Sequence, residues 1–312
     1  MHSILCKKIS KTYPNGKKAL NNLSFSFKGK GILSIIGKNG AGKTTLIRIL
    51  ATELVPTSGT AFIDNIDIIK NPEQIREKIA IIPQEARAVQ WLTPKQTLIS
   101  YLMYRGFSYS QSKKLAMESL KKLSLSKNLN TLNRLLSGGT KRKVLVSYVL
   151  SSGAKIIFLD EPTTGLDPIS RSELWNLLKK LKDDYLIVLT THYLEEAERL
   201  ADKIILIDEG KLIAYDIMEG LRKKIKYNYS ILISGDVKKL PKFTNVKYKI
   251  IKGLNNGYQI LTNVKDSKTI TNVLIKDKIK FSINPVSLED IFYYLVKKTI
   301  SEDSDKSDNN EY

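Results

Sequence analysis

The stretch Gly37-Lys38-Asn39-Gly40-Ala41-Gly42-Lys43-Thr44, with Thr45 behind it, has the residue types and spacing to bind phosphate. Its glycines let the backbone wrap close to an anion and turn successive N–H groups towards it. A helix opening directly after the loop would add its unpaired N–H groups and the positive end of its dipole. Lys43 can then reach the β- and γ-phosphates, and Thr44 can set its hydroxyl on Mg²⁺. The bland alternative is a glycine-rich turn with a chance lysine. Against it, the apolar run Ile32-Leu33-Ser34-Ile35-Ile36 precedes the loop as a buried strand would, and Leu46, Ile47, Ile49 and Leu50 follow on one helical face. The chemistry indicated is binding of a nucleoside triphosphate.

Other residues could join that chemistry. Tyr13 sits in a turn, Thr12-Tyr13-Pro14-Asn15-Gly16, either packing on the turn or stacking on an adenine face. Gln84 follows the short apolar run Ile79 to Ile82 and Pro83; it is an ordinary loop residue or a sensor of Mg²⁺ or the attacking water. Ser137-Gly138-Gly139-Thr140 opens a helix with Ser137 as its cap, and two glycines at a helix start again suit anion contact. Ile156-Ile157-Phe158-Leu159 is a fully apolar strand that delivers Asp160 and Glu161 to its C-terminal end, where open α/β sheets place their ligands. Asp160 is suited to the Mg²⁺ shell and Glu161 to polarising a water for attack on the γ-phosphate. Leu186 to Leu189 is a further strand, ending at Thr190-Thr191-His192, and His192 is either structural or close to the same phosphate.

The elements that must position these groups are readable in outline. Leu23, Phe25 and Phe27 alternate with polar residues, a half-buried strand expected to pair with one near Ile4 to Ile9. Pro56 and Gly59 mark a turn before a strand and loop over 60–69. Residues 93–135 read as mainly helical, interrupted at Gly106. After 218, strands are expected over 229–234, 246–251 and 258–261 and a helix near 267–279. A last helix opens at Ser287, capped with Asp290 three residues on. Residues 301–312 are polar and acidic and are expected to be disordered.

With 312 residues the chain can hold one large or two modest domains. No apolar run reaches bilayer length, and Met1-His2-Ser3-Ile4-Leu5 lacks the basic and apolar regions of a signal peptide. Cys6 is the only cysteine, which fits a reducing compartment. The formal charge of +20 (51 basic less 31 acidic) suits nucleic acid, an anionic membrane surface or simply a lysine-rich proteome. The lysines are scattered rather than gathered in one arm, which favours the last at least as well, and charge alone does not decide the partner.

Taken in order, these residues resemble the ATP-binding subunit of an ABC transporter over about the first 215 positions. Gly37 to Thr44 looks like that family's Walker A loop, Tyr13 like its adenine-stacking aromatic and Gln84 like its Q-loop glutamine. Leu136 to Thr140 is similar to its LSGGQ signature, Ile156 to Asp160 to Walker B, and Glu161 to its catalytic glutamate. Gly165-Leu166-Asp167 matches the D-loop and His192 the switch histidine. Two departures stand out: Lys38 where proline is frequent, and Thr140 in place of the signature glutamine. The resemblance implies an α/β fold, a P-loop NTPase core of mostly parallel strands with an antiparallel β layer and a helical subdomain at about 90–150. It implies an ATPase domain over 1–218 and, from Ser287 to Phe292 and position, a small α+β extension over 219–300 like that of exporter subunits.

The function so implied is ATP hydrolysis with Mg²⁺ at the interface of two ATPase subunits. Ser137, Gly138 and Gly139 of one would cover the ATP of the other, and the cycle would drive export by a separate transmembrane permease at the cytoplasmic membrane face. The alternative is a nucleic-acid- or ribosome-associated ABC ATPase, favoured by the charge. Such proteins usually carry a coiled-coil insertion or two ATPase halves. Here Lys43 and Ser137 lie only 94 positions apart (137 − 43) and no second glycine loop occurs, so stable nucleic-acid binding is not expected. An ordinary P-loop kinase or GTPase would lack the stretch at Ser137.

Overall fold

The computed structural model describes residues 1–234, 240–252 and 257–296, so the acidic stretch 301–312 lies outside the described residues. Two units divide between Leu212 and Ile213. In the first, β1 (Ser3–Thr12) and β2 (Lys18–Lys28) pair antiparallel with Ile4 opposite Phe27 and Cys6 opposite Phe25. The alternation seen in the sequence buries Leu23, Phe25 and Phe27 on one face.

Next come β3 (Gly31–Ile36), α1 (Lys43–Leu50), β4 (Ser58–Ile63) and β5 (Ile66–Asp67). The short α2 (Pro72–Lys78) leads into β6 (Ile79–Ile82). Three helices follow: α3 (Pro94–Tyr104), α4 (Tyr109–Lys122) and α5 (Gly138–Ser151). Gly106, at φ +93°, makes the break between the first two. Capping boxes of Thr93 with Gln96 and Ser108 with Gln111 fix where α3 and α4 begin. The unit closes with β7 (Ile156–Asp160), α6 (Pro168–Leu181), β8 (Leu186–Thr191), α7 (Leu194–Leu200) and β9 (Lys203–Asp208); β10 (Lys211–Asp216) begins in it.

Two sheets result. One has the order β2-β1-β4-β5, antiparallel throughout. The other has the order β10-β9-β3-β8-β7-β6, in which β9, β3, β8, β7 and β6 run parallel. Strands β3, β7 and β8 are buried at every residue, which is why they read as unbroken apolar runs. A core joins them to the helices: Phe158 is fully buried in the sheet, while Leu98, Leu102, Leu120, Val144 and Leu174 pack with Leu159 and Leu189.

The second unit contains α8 (Met218–Lys224), β11 (Tyr229–Ile233), β12 (Tyr248–Lys252), β13 (Tyr258–Thr262), α9 (Val264–Lys276) and β14 (Phe281–Pro285). Its sheet runs β12-β13-β11-β14, all antiparallel, and a further helix covers 288–296. Helix α9 starts three residues before the expected 267, because the Asn263 side chain accepts from the Asp266 N–H and caps it there. Strand β14 was not expected: after Phe281 its residues are exposed and it ends at Pro285, so no buried alternation marks it.

Candidate active site

Parallel register brings the chemistry to one place. Ile36, the last residue of β3, pairs with Thr191, and Asp160 at the end of β7 pairs with Thr190. Ile82 of β6 pairs with Leu159, so Gln84 also emerges beside the end of β7. All these strands finish on the same edge of the sheet, and a cleft of about 470 Å³ opens there. Tyr13, Lys17, Ala19, Asn39, Gly40, Gly42, Lys43, Thr44, Thr45, Gln84, Glu161, Thr164 and His192 line it. Gly37 and Ala41 are buried in the turn behind, and Asp160 does not line the cleft.

The loop can only be glycine at its tight points. Gly42 caps α1 at φ +106°, and a Cβ there would lie 2.4 Å from the Ala19 carbonyl oxygen. At Gly37 a Cβ would lie 2.3 Å from the Ile207 carbonyl oxygen. Tyr13 is fixed by contact between its hydroxyl and Thr45 Oγ1 at 3.1 Å.

The buried Lys43 ammonium donates to the carbonyls of Gly37 at 2.9 Å and Lys38 at 3.2 Å. It also faces Glu161 Oε1 at 3.3 Å. The other oxygen, Oε2, accepts from Gln84 Nε2 and Thr164 Oγ1, each at 3.1 Å, and lies 3.1 Å from His192 Nδ1. A carboxylate can only accept, so this contact places the proton of His192 on Nδ1. Burial works to raise the Glu161 carboxyl, but the Lys43 ammonium, then His192 and Thr164, outweigh it and hold it below the ordinary value. Glu161 is therefore an ionised, fixed acceptor at neutral pH, and its backbone stands at φ +45°.

Asp160 is buried at 2% exposure and takes a hydrogen bond from the Thr190 hydroxyl. Ser137, Gly138, Gly139 and Asp167 do not line the cleft. They gather instead where α5 and α6 begin. Ser137 Oγ accepts from the Thr140 N–H, and Asp167 caps α6 through the N–H and hydroxyl of Ser170. A Cβ on Gly139 would lie 2.4 Å from Ser170 Oγ, so the glycine permits this approach.

Four further residues serve the site without standing in any of the motifs. Thr164 holds Glu161 Oε2, Thr190 receives the Glu161 N–H at 2.9 Å, Lys17 lines the cleft, and Arg142 reaches the Glu161 and Pro162 carbonyls from α5. A hydroxyl three residues beyond Glu161 and another at the end of a parallel strand were the available signals.

The ABC transporter family description matches residues 20–164. The doxorubicin resistance ATP-binding protein DrrA of Mycobacterium tuberculosis is 35% identical over 240 residues, covering 76% of this chain and 72% of that one. The chain belongs to the ABC transporter ATP-binding family. Phospholipid-transporting ATPase ABCA3 of Homo sapiens is 36% identical over 233 residues, which is 74% of this chain but 14% of that protein. Among solved structures, a dimeric post-hydrolysis ATP-binding cassette bound to ADP and Pi is similar at a TM-score of 0.62 and 29% identity, over 69% of this chain and 98% of that one. As an ABC ATPase, the chain binds and hydrolyses ATP, and the expected α/β P-loop architecture is the one observed.

Proposed function

We propose that this ABC ATPase is the energy-supplying subunit of an export complex, dimerising on ATP and working with a separate transmembrane permease. One observation carries the reading: the phosphate loop, Gln84 and His192 converge on the single carboxylate of Glu161 within one cleft. In this reading Lys43 moves from Glu161 to the β- and γ-phosphates. Glu161 then accepts a proton from the attacking water, and His192 and Gln84 keep its carboxylate aimed. Tyr13 stacks on the adenine.

The donor set fits Mg²⁺. Thr44 and Gln84 offer neutral oxygens in the cleft, Asp160 a carboxylate behind it, and the phosphates the rest, as suits a hard cation. Bound there, it would neutralise charge developing on the phosphate oxygens. Among the described residues, no group of three or more His, Cys, Asp or Glu is placed to hold a metal alone.

Dimerisation is supported by where the signature stands. Ser137 and Gly139 open α5 in a form suited to phosphate yet do not line this chain's own cleft, which leaves a second subunit's ATP as their ligand. Asp167 lies at the same face. Residues 1–218 act as the ATPase domain and 219–300 as an accessory extension. Export is the reading that the drug-resistance relative supports. No helix among the described residues is long and apolar enough to cross a membrane, and we place the subunit peripherally on the cytoplasmic face. Scattered lysines near an anionic leaflet would each add about 1 kcal/mol of salt-sensitive attraction.

The test uses a Glu161→Gln protein sized by light scattering. ATP with Mg²⁺ should shift it from monomer to dimer, and Ser137→Arg should prevent the shift. A mass unmoved by ATP would refute a homodimer. Tight ATP-dependent retention on RNA, DNA or ribosomes at physiological salt, with none on permease-containing membranes, would refute the transport role.

A further inference from the structure

We propose that Arg142, on the signature helix α5, is a positioning residue that holds the backbone of Glu161 in the conformation its catalytic role requires. Arg142 Nε donates to the Pro162 carbonyl at 2.6 Å and Nη2 to the Glu161 carbonyl at 3.2 Å. The planar guanidinium presents two N–H groups in a rigid fork to these successive carbonyls, whereas a lysine ammonium reaches carbonyls as a single point on a flexible stem. The inference rests on the reading of Glu161 as the residue that orders the attacking water.

Glu161 needs such a hold. Its φ of +45° lies in the left-handed region that residues with a Cβ avoid. It also precedes Pro162, whose ring drives the residue before it towards extended backbone. Two local features therefore push Glu161 the same way, out of the observed conformation. Relaxation in that direction would swing its carboxylate away from Lys43, Gln84 and His192.

Opposing this, the Glu161 N–H is tied to Thr190 Oγ1 at 2.9 Å, from the neighbouring strand β8. Its carbonyl accepts a longer turn bond from the Thr164 N–H at 3.3 Å. Arg142 supplies the remaining hold and is the only one of the three groups to grip both the Glu161 and Pro162 carbonyls. The helix that carries it is anchored in the core by Val144, Leu145 and Val149, so the guanidinium acts from a fixed base. The next cation along, Lys143, instead pairs at the surface with Glu173 at 2.7 Å. It provides a matched control on the same helix.

The experiment compares steady-state ATP hydrolysis, calorimetric ATP binding and thermal melting for the full chain and for Arg142→Ala, Arg142→Lys, Lys143→Ala and Glu161→Gln. A misplacement of about 1 Å at a reacting group costs on the order of 10²-fold in rate. Arg142→Ala should thus lower kcat by about 10- to 100-fold while its ATP Kd stays within about twofold of wild type. Arg142→Lys keeps the charge but not the fork; it should melt normally and still lose at least about threefold in kcat. Lys143→Ala should match wild type. If Arg142→Ala does not fold, Arg142→Lys decides. Wild-type kcat in the folded Arg142 variants would overturn the proposal, as would loss of ATP affinity and melting temperature in step with kcat. Near-normal turnover by Glu161→Gln would overturn the reading of Glu161 itself, and Arg142 with it.

Discussion

Lys43 faces the Glu161 carboxylate, and in the proposed mechanism it leaves that partner for the phosphates of ATP. Replacing Glu161 by Gln should therefore tighten ATP binding as well as stop turnover. The Nζ to Oε1 separation is 3.3 Å, at which two unit charges attract by about 5 kcal/mol in a medium of effective dielectric 20. Most of this is not lost on binding, because the phosphates replace the carboxylate as the partner of Lys43. A residue of about 1–2 kcal/mol corresponds to a roughly 5- to 30-fold lower Kd in the variant. Isothermal titration with a non-hydrolysable ATP analogue and Mg²⁺ would measure it for both proteins. Repulsion between Glu161 and the γ-phosphate would act in the same direction, so the double variant with Lys43→Ala is needed. If the gain acts through Lys43 it disappears in that background. Equal or weaker binding by Glu161→Gln, or a gain that persists without Lys43, would refute the reasoning.

Two further outcomes follow from the geometry. Gly42→Ala should lower the melting temperature and weaken ATP binding at least about tenfold. Its left-handed backbone costs an L residue about 1–2 kcal/mol and its Cβ would meet the Ala19 carbonyl, so the loop must shift; unchanged calorimetric affinity would contradict this. Glu196 is buried and receives the Trp175 indole N–H at 2.9 Å. Burial raises its carboxyl above the ordinary 4.5, against the Trp175 hydrogen bond and the charge of Arg171. The folded protein then keeps a proton that the unfolded chain has released, so this contribution to stability is full below the unfolded value and falls as pH rises through the folded one. Glu196→Gln should melt above wild type at pH 8, by about 2–4 °C for each kcal/mol relieved, with the gap narrowing by pH 5. A gap that widens at pH 5 would show the sign to be wrong.

Much of the architecture was legible because the central strands are buried on both faces. Ile156 to Leu159 and Leu186 to Leu189 could be read as parallel-sheet strands, and the acids and histidine after them as residues at a common edge. Cap chemistry likewise placed the start of α5 at Ser137. What could not be read was side-chain aim. Asp160 and Glu161 are adjacent, yet one turns to Thr190 and the other to Lys43, because the strand ends at Asp160 and the backbone leaves it at Glu161 through a left-handed φ. Arg142 was equally opaque: a cation one turn into a basic helix has no pattern that separates it from Lys141 or Lys143. Strand β14 escaped because exposed residues and a terminal proline carry no buried alternation.

In the proposed mechanism Glu161 completes an ATP-hydrolysing site built on the Lys43 loop. Phosphate release by purified wild-type, Glu161→Gln and Lys43→Ala proteins, each saturated with Mg²⁺ and ATP and paired with a direct binding measurement, tests it most directly. Wild type should turn over, Glu161→Gln should keep binding with turnover reduced at least about 10²-fold, and Lys43→Ala should bind more weakly. Near-wild-type phosphate release by Glu161→Gln would contradict it.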